Sequence, residues 1–266
     1  MGWKLSHEMF NVLNRYLGSG DFPNAEILFF GNEEGLGGKE LVANLVARTT
    51  TFGERDEEGN VVSSLNSQTT EKGYWEPSAA EGGDKVHALL YQQGLVESPV
   101  RKPFVGGYFL PMAARICLAL ERPDEDPTYW FKPKGGYYFD GVNAISEYIA
   151  NCLFRKRDEG IRSSLSDWRP LPRVKESSRP SEYECIDWKK YSKAYSDPLG
   201  SHDISYSDAS RDRANNLSDL LRLSKIKLII GFGDISTKAN MLSKLFPNTR
   251  FNQVNSVEFP SVAARR

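Results

Sequence analysis

The chain has 266 residues, with 34 Lys and Arg side chains against 35 Asp and Glu side chains and a formal net charge of −1. This length suits one large α/β domain or two small ones, and its 14 Phe, 12 Tyr and 5 Trp residues exclude wholesale disorder. The balanced charge gives no support to a protein that coats nucleic acid in bulk, although it permits a local basic cleft. The longest apolar runs, at residues 27–30 and 226–232, fall far short of the ~20 residues of a membrane helix. No apolar region follows residues 1–4, so we expect no secretory signal.

The three cysteines, Cys117, Cys152 and Cys185, are isolated in the sequence and form no C-x-x-C pair. They therefore supply no ligand set for a structural zinc ion or an iron–sulfur cluster, and the three scattered histidines suggest no metal site either. We expect no metal, no cofactor and a reducing intracellular compartment, either the cytoplasm or the nucleoid or nucleus. The simplest interpretation of the cysteines is that all three are buried apolar side chains.

The amino-terminal half of the chain begins with a pattern typical of α/β proteins. Apolar spacing predicts a helix over residues 6–17, a buried strand over 25–30, a glycine-rich loop over 31–38 and a helix over 39–48. A strand, a loop and a helix in this order form the opening unit of an α/β fold. Residues 49–84 are polar and rich in glycine, which predicts a long loop or insertion.

The remaining elements are predicted in the same way. Helices are expected over residues 107–121, 217–223 and 235–246, a helix followed by a strand over 142–154, and strands over 225–231 and 251–257. Residues 155–212 are rich in Ser, Arg, Pro and Tyr and read as a second insertion or an extended surface segment. We expect one α/β domain over residues 1–266, with a mostly parallel sheet in a three-layer α/β/α arrangement and insertions at about 49–101 and 158–216.

Two adjacent carboxylates follow the first predicted buried strand. Glu33 and Glu34 lie beside Asn32 in a loop bounded by Gly31 and Gly35. In α/β enzymes, ligands bind at the carboxyl ends of parallel strands, where a carboxylate can orient water or stabilise a cation. Acidic side chains are also common at helix starts, where they cap the helix, so this alternative stays open.

Two further segments could contact a planar ligand. Phe104 lies between a proline and two glycines and could present its ring for stacking, or it could be an ordinary core residue. Asn151 could offer a donor and an acceptor to a ligand edge at the end of a predicted strand. The basic run Arg155, Lys156 and Arg157 could bind phosphates, and the alternatives are a turn Asn and a solvated basic face.

A fourth segment, Pro260-Ser261, follows the last predicted strand and is uninformative by itself. Together with the glycines that follow the strand predicted at residues 225–231, these segments make five short sequence blocks. Their order along the chain is Gly31-x-x-x-Gly35, Pro103-Phe104-Val105-Gly106, Asn151 before basic residues, Leu228-Ile229-Ile230-Gly231-x-Gly233, and Pro260-Ser261. This order resembles the uracil-DNA glycosylase superfamily. The most similar branch has a G-E-A-P-G loop, a P-F-V-G segment, an N-V-V-K-C-R-P strand and an H-P-S motif.

The resemblance implies a single-domain α/β/α glycosylase that flips a damaged or modified base out of DNA and excises it hydrolytically. Glu33, with Asn32 and Glu34 beside it, corresponds to the position that places water at the anomeric carbon of the sugar. Phe104 corresponds to the aromatic residue that stacks on the flipped base, and Asn151 to the residue that reads the base edge.

The same resemblance assigns contacts with the DNA backbone to Pro260 and Ser261. It implies a monomer that binds DNA, either single-stranded or with a flipped base, and does not associate with membranes.

The chain departs from the family pattern at several positions. Glu34 replaces the loop proline, Phe259 replaces the histidine of the H-P-S motif, and the four cluster cysteines of the most similar branch are absent. These differences favour either a divergent substrate, such as a bulky modified base, or a catalytically impaired relative that binds DNA or a protein. A third interpretation is an unrelated α/β hydrolase or nucleotide-binding enzyme with the same strand–loop–helix opening.

Overall fold

The computed structural model describes residues 3–35, 41–65, 73–75, 109–131, 142–173, 177–200, 205–233 and 235–247. The α-helices of these ranges are α1 His7–Arg15, α2 Leu41–Phe52, α3 Phe109–Glu121, α4 Val142–Asn151, α5 Trp188–Ser196, α6 Ser207–Leu223 and α7 Ile235–Leu245. The strands are β1 Gly18–Gly20, β2 Ile27–Gly35, β3 Gly53–Arg55, β4 Val61–Leu65, β5 Tyr74–Trp75, β6 Ser163–Arg173 and β7 Leu228–Gly231. In the same ranges, short 3₁₀ helices span Pro127–Trp130 and Ser181–Tyr183.

Five of these strands form one mixed sheet in the order β5-β1-β6-β2-β7. β2 pairs in parallel with β6 on one side and with β7 on the other, and β1 pairs in parallel with β5. The pairing of β1 with β6 is antiparallel. β3 and β4 form a separate antiparallel hairpin.

Helices cover both faces of this sheet, as the alternation of side chains along β2 shows. Leu28 and Phe30 pack into a core with helices α1, α2, α5, α6 and α7, whereas Ile27 and Phe29 pack into a second core with α3 and α4. Since successive side chains of a strand point to opposite faces, the two cores lie on opposite sides of the sheet. The prediction of an α/β fold with helices around a mostly parallel sheet is confirmed.

Polar caps position two of the helices that matter for the site. Ser6 precedes α1, and its hydroxyl accepts a hydrogen bond from the Met9 amide at 3.2 Å. Asp187 precedes α5 and accepts from the amides of Lys189 and Lys190, both at 3.1 Å. Each cap accepts hydrogen bonds from backbone amides that the first helical turn leaves without partners. The caps therefore fix the residue at which each helix begins.

The structure corrects several boundaries that the sequence pattern suggested. Residues 163–173 form β6 in the middle of the sheet, so the interpretation of residues 155–212 as a surface segment is wrong for this stretch. Residues 53–65 contain the hairpin β3–β4 rather than only a loop. β2 continues to Gly35, with a register shift between Glu33 and Gly35, so residues 31–35 extend a strand instead of beginning a loop.

Other expectations also change. β7 is shorter than predicted, and Leu228 is 43% exposed, so this strand is not fully buried. Helix α4 leads into a turn rather than a strand after Asn151. Cys117 is buried, whereas Cys185 is exposed, so the expectation that all three cysteines are buried is wrong. Burial raises the pKa of the Cys117 thiol to about 12. The strand predicted over residues 251–257 lies outside the described residues.

Candidate functional site

The candidate site lies where three parallel strands end. β2, β6 and β7 run in the same direction, so their carboxyl ends meet at one edge of the sheet. Glu33 lies near the end of β2 and is paired in register with Arg169 of β6, and Gly35 is paired with Arg173. The Glu33 carboxylate and the neighbouring Asn32 amide are therefore at the edge where α/β proteins bind ligands.

Glu33 is held by a buried arginine. The Nε atom of Arg173 donates to Glu33 Oε2 at 3.1 Å, and Nη2 of the same guanidinium pairs with the same oxygen. The side chains of Glu33 and Arg173 are only 9% and 2% exposed. Arg169 Nη1 lies 4.0 Å from this oxygen. Glu33 Oε1 makes no hydrogen bond within the part of the chain that the structure describes.

Asn32 is anchored from the other side of the site by a lysine. Lys238 of α7 is buried, and its Nζ atom donates to Asn32 Oδ1 and to the carbonyl oxygen of Phe232 at 2.6 Å. Because Oδ1 accepts from the lysine, the assignment of the Asn32 amide is fixed and Nδ2 faces Gly233. A Cβ atom at Gly233 would lie 2.7 Å from Nδ2, and the φ of +77° there also favours glycine.

A close approach between strands explains the glycine at position 31. A Cβ atom on Gly31 would lie 2.0 Å from Asp167 Oδ1, much closer than van der Waals contact allows. Gly31 and Asp167 are partners in the β2–β6 register. Any larger residue at position 31 would displace the Asp167 carboxylate from the carboxyl edge of the sheet.

Arg173 also connects the edge to an aromatic cluster. Its guanidinium lies 4.8 Å from the centroid of the Trp188 ring, and Trp188 contacts Tyr183 and Tyr191 with edge-on geometry. Burial raises the pKa values of Tyr183 and Tyr191, and the Glu33 carboxylate adds to both shifts. Both phenols therefore stay neutral at ordinary pH. The Tyr183 hydroxyl donates to the Pro172 carbonyl oxygen at 2.7 Å.

Three of the predicted site residues, Phe104, Pro260 and Ser261, lie outside the described residues, and for Glu34 only the backbone position within β2 is described. The contacts that the resemblance implies for them stay predictions.

The third predicted block lies at the opposite end of the sheet. Asn151 is an exposed residue that ends α4, so the prediction that it follows a strand is wrong. The Phe154 amide donates to the hydroxyl of Ser163, which begins β6 and pairs with Ile27 at the start of β2. At ~3.3 Å per strand residue, this end is roughly 20 Å from Glu33. Asn151 therefore does not join the cluster around Glu33.

The basic run beside Asn151 is mostly engaged in the fold. Arg155 is buried, and Arg157 Nη1 donates to Glu121 Oε1 at 2.8 Å and to the Tyr148 hydroxyl at 3.0 Å. Lys156 is exposed. Of the three cations, only Lys156 has the exposed side chain that a contact with a DNA phosphate requires.

Sequence reasoning missed the three cations that hold the site, Arg169, Arg173 and Lys238. Pro170 and Pro172 interrupt the pattern of β6, and proline is unusual inside a strand. Leu165 packs against one core, and Trp168 and Leu171 belong to the other, at a spacing of three residues that does not match the two-residue period of a strand. The apolar pattern therefore gave no local signal for β6.

Comparison with known proteins gives no match, since no family model, curated protein or solved structure matches the chain. Within the described ranges, no helix is long and apolar enough to cross a membrane. In the same ranges, no group of three or more His, Cys, Asp or Glu side chains could hold a metal ion.

Proposed function

We propose that the chain is a divergent DNA glycosylase that flips a modified base out of DNA and excises it hydrolytically. The observation that supports this proposal is the set of hydrogen bonds made by the Glu33 carboxylate. Arg173 fixes the carboxylate through Oε2, and Oε1 has no hydrogen-bond partner among the described residues. A carboxylate fixed in this way at the sheet edge can accept a hydrogen bond from water and direct it toward the anomeric carbon of a nucleotide.

The electrostatics of base excision fit the same group. Cleavage of an N-glycosidic bond develops positive charge on the sugar, and a nearby carboxylate favours that transition state. Asn32 lies next to Glu33, and Lys238 fixes its amide so that Nδ2 is the donor available for a ligand. This donor could hold the attacking water or an oxygen of the substrate.

A second candidate is a glycosylase-like protein that binds DNA without cleaving it. The contact between Arg173 and Glu33 favours this candidate, because the guanidinium offsets the negative charge that would stabilise a sugar cation. The two candidates share a DNA partner and differ in whether a base is released.

The first prediction separates them with Glu33→Gln. This substitution keeps the shape of the side chain and removes its charge, so we expect base release to fall by about 100-fold or more. DNA binding should stay within about twofold and should weaken steeply with salt, as it does for phosphate contacts. Mass spectrometry of bases released from DNAs that carry different modifications measures release, and fluorescence anisotropy measures binding.

The matched control is Glu147→Gln, which changes an exposed carboxylate on α4. It should leave both base release and binding unchanged. Undiminished release by the Glu33→Gln protein would exclude Glu33 as the catalytic carboxylate. Binding without release by the unmodified protein on every modified DNA would establish the second candidate, and a lack of salt-sensitive binding would exclude both.

A further inference from the structure

A groove beside the carboxyl edge of the sheet has the composition of a base-stacking site. It has a volume of about 300 Å³ and lies between the 3₁₀ helix Ser181–Tyr183 and the start of α5. Its lining combines aromatic rings, cations and a carboxylate: Lys4, Arg179, Ser181, Tyr183, Glu184 and Trp188.

Two guanidinium groups lie within cation–π distance of the Trp188 ring. Arg173 lies 4.8 Å from its centroid and Arg179 lies 4.7 Å from it. The two arginines differ in how firmly they are held. Arg173 is buried and paired with Glu33, whereas Arg179 is exposed. Arg179 also donates to the Ser178 carbonyl oxygen at 2.9 Å. An exposed cation on a ring contributes little to stability, so a planar ligand can compete with Arg179 for the Trp188 ring.

The orientation of Trp188 is set before any ligand binds. Tyr183 and Tyr191 contact the ring edge-on, with centroids 5.7 Å and 5.5 Å away. The Asp187 cap fixes the helix that begins at Trp188. Because the ring is already held in place, it loses little conformational entropy when a ligand stacks on it.

Charges at the rim suit a ligand that carries a phosphate. Arg179 and Lys4 line the groove, and Lys4 Nζ lies 2.5 Å from Glu184 Oε2 and donates to the Ser181 carbonyl oxygen at 3.0 Å. Both partners of the Lys4–Glu184 pair are well exposed, at 49% and 74%, and such pairs are weak and easily exchanged. Glu184 itself would oppose a phosphate.

We propose that this groove binds an unpaired nucleobase of single-stranded DNA. The base stacks on the face of Trp188 that Arg179 now covers, and Arg179 and Lys4 then pair with the flanking phosphates. Arg173 contacts both Trp188 and Glu33, so the groove adjoins the site around Glu33. This inference rests on the proposed function for its DNA partner and adds a second point of attachment beside the cleavage site.

Anisotropy with a fluorescein-labelled oligothymidylate tests the groove and gives the second prediction. We expect Trp188→Leu to weaken binding about tenfold and Trp188→Phe to restore most of the affinity, because phenylalanine keeps a stacking ring. Glu184→Gln should tighten binding, and Arg179→Ala should weaken it and reduce its dependence on salt. Arg211→Ala, an exposed arginine of α6 paired with Asp208, is the matched control and should bind as the unmodified protein does.

Unchanged affinity in Trp188→Leu would overturn the proposal. If that variant does not fold, unchanged affinities in both Arg179→Ala and Glu184→Gln would overturn it instead. Competition by thymidine monophosphate as effective as that by the oligonucleotide would assign the groove to free nucleotides and would also overturn binding of a strand. If Trp188→Leu loses binding and the unmodified protein releases no base from any modified DNA, the catalytic proposal alone is contradicted. Base release together with normal binding by Trp188→Leu would contradict the groove alone.

Discussion

At the scale of single residues, Arg213 joins two parts of the chain that are distant in sequence. Its guanidinium is buried and donates to the carbonyl oxygens of Asn14 at 2.5 Å and Tyr16 at 2.8 Å, where α1 ends. It also donates to the carbonyl oxygens of Asp167 at 2.5 Å and Trp168 at 2.8 Å in β6. Burial lowers its pKa, but an arginine stays charged at ordinary pH, so each bond is charge-assisted.

The third prediction concerns this arginine. Arg213→Met keeps most of the apolar side chain but leaves buried carbonyl oxygens without a donor, so we expect the free energy of unfolding to fall by about 3–5 kcal/mol. Chemical denaturation followed by circular dichroism measures the loss. Arg211→Met on the same helix should change the free energy by less than ~0.5 kcal/mol, because its pair with Asp208 is exposed. Equal effects of the two substitutions would contradict the role assigned to Arg213.

At the scale of elements, one carboxylate attaches the end of α3 to the turn that leads into β6. Glu121 Oε1 accepts from the Tyr148 hydroxyl at 2.9 Å, from Arg157 Nη1 at 2.8 Å and from the Ile161 amide at 2.7 Å. Gly160 has a φ of +77°, and a Cβ atom there would lie 2.5 Å from the same oxygen. The turn therefore fits only if residue 160 has no side chain, and it directs the chain into the central strand.

Removing this carboxylate gives the fourth prediction. Glu121→Ala leaves three donors without their acceptor in a largely buried place, so we expect the free energy of unfolding to fall by about 2–3 kcal/mol. The midpoint of thermal unfolding should fall accordingly. Glu125→Ala serves as the control, since the pair of Glu125 with Arg122 is exposed. A Glu121→Ala protein as stable as the control would show that the turn does not depend on Glu121.

At the scale of the whole molecule, the larger core contains tyrosines that resist ionisation. Tyr183, Tyr191 and Tyr195 are all buried on the face of the sheet that packs against α1, α5 and α6. Burial raises the pKa of each phenol above the ordinary value of 10.0. The folded protein therefore keeps these groups neutral under conditions in which the unfolded chain releases their protons.

The fifth prediction follows from the sign of these shifts. Well below pH 10 these phenols are protonated in both the folded and the unfolded chain, so their ionisation does not change the free energy of unfolding. As the pH rises above that value, only the unfolded chain ionises, so the free energy of unfolding falls. Tyrosinate absorbance should therefore rise cooperatively with the loss of circular dichroism at high pH. Ionisation of these three tyrosines in a protein that stays folded would contradict the prediction.

The amino-acid sequence by itself determined the elements whose signals are local. The helical spacing of α1, α2, α3 and α7 and the apolar run of β2 can be read directly, because each depends on neighbours a few residues away. The same reasoning placed Asn32 and Glu33 at the carboxyl edge, since the carboxyl ends of parallel strands are where such side chains meet ligands.

Only the tertiary structure decided which residues surround Glu33. β6 carries two prolines, Pro170 and Pro172, that argue against a strand. They lie beyond the Ser164–Ser166 stretch that pairs with β1, where β6 pairs with β2 alone and a missing amide donor is tolerated. That pairing brings Arg169 and Arg173 to the carboxylate from about 140 residues away and leaves Asn151 at the far end of the sheet. Such contacts depend on strand order and register, which are set by long-range packing and not by any local pattern.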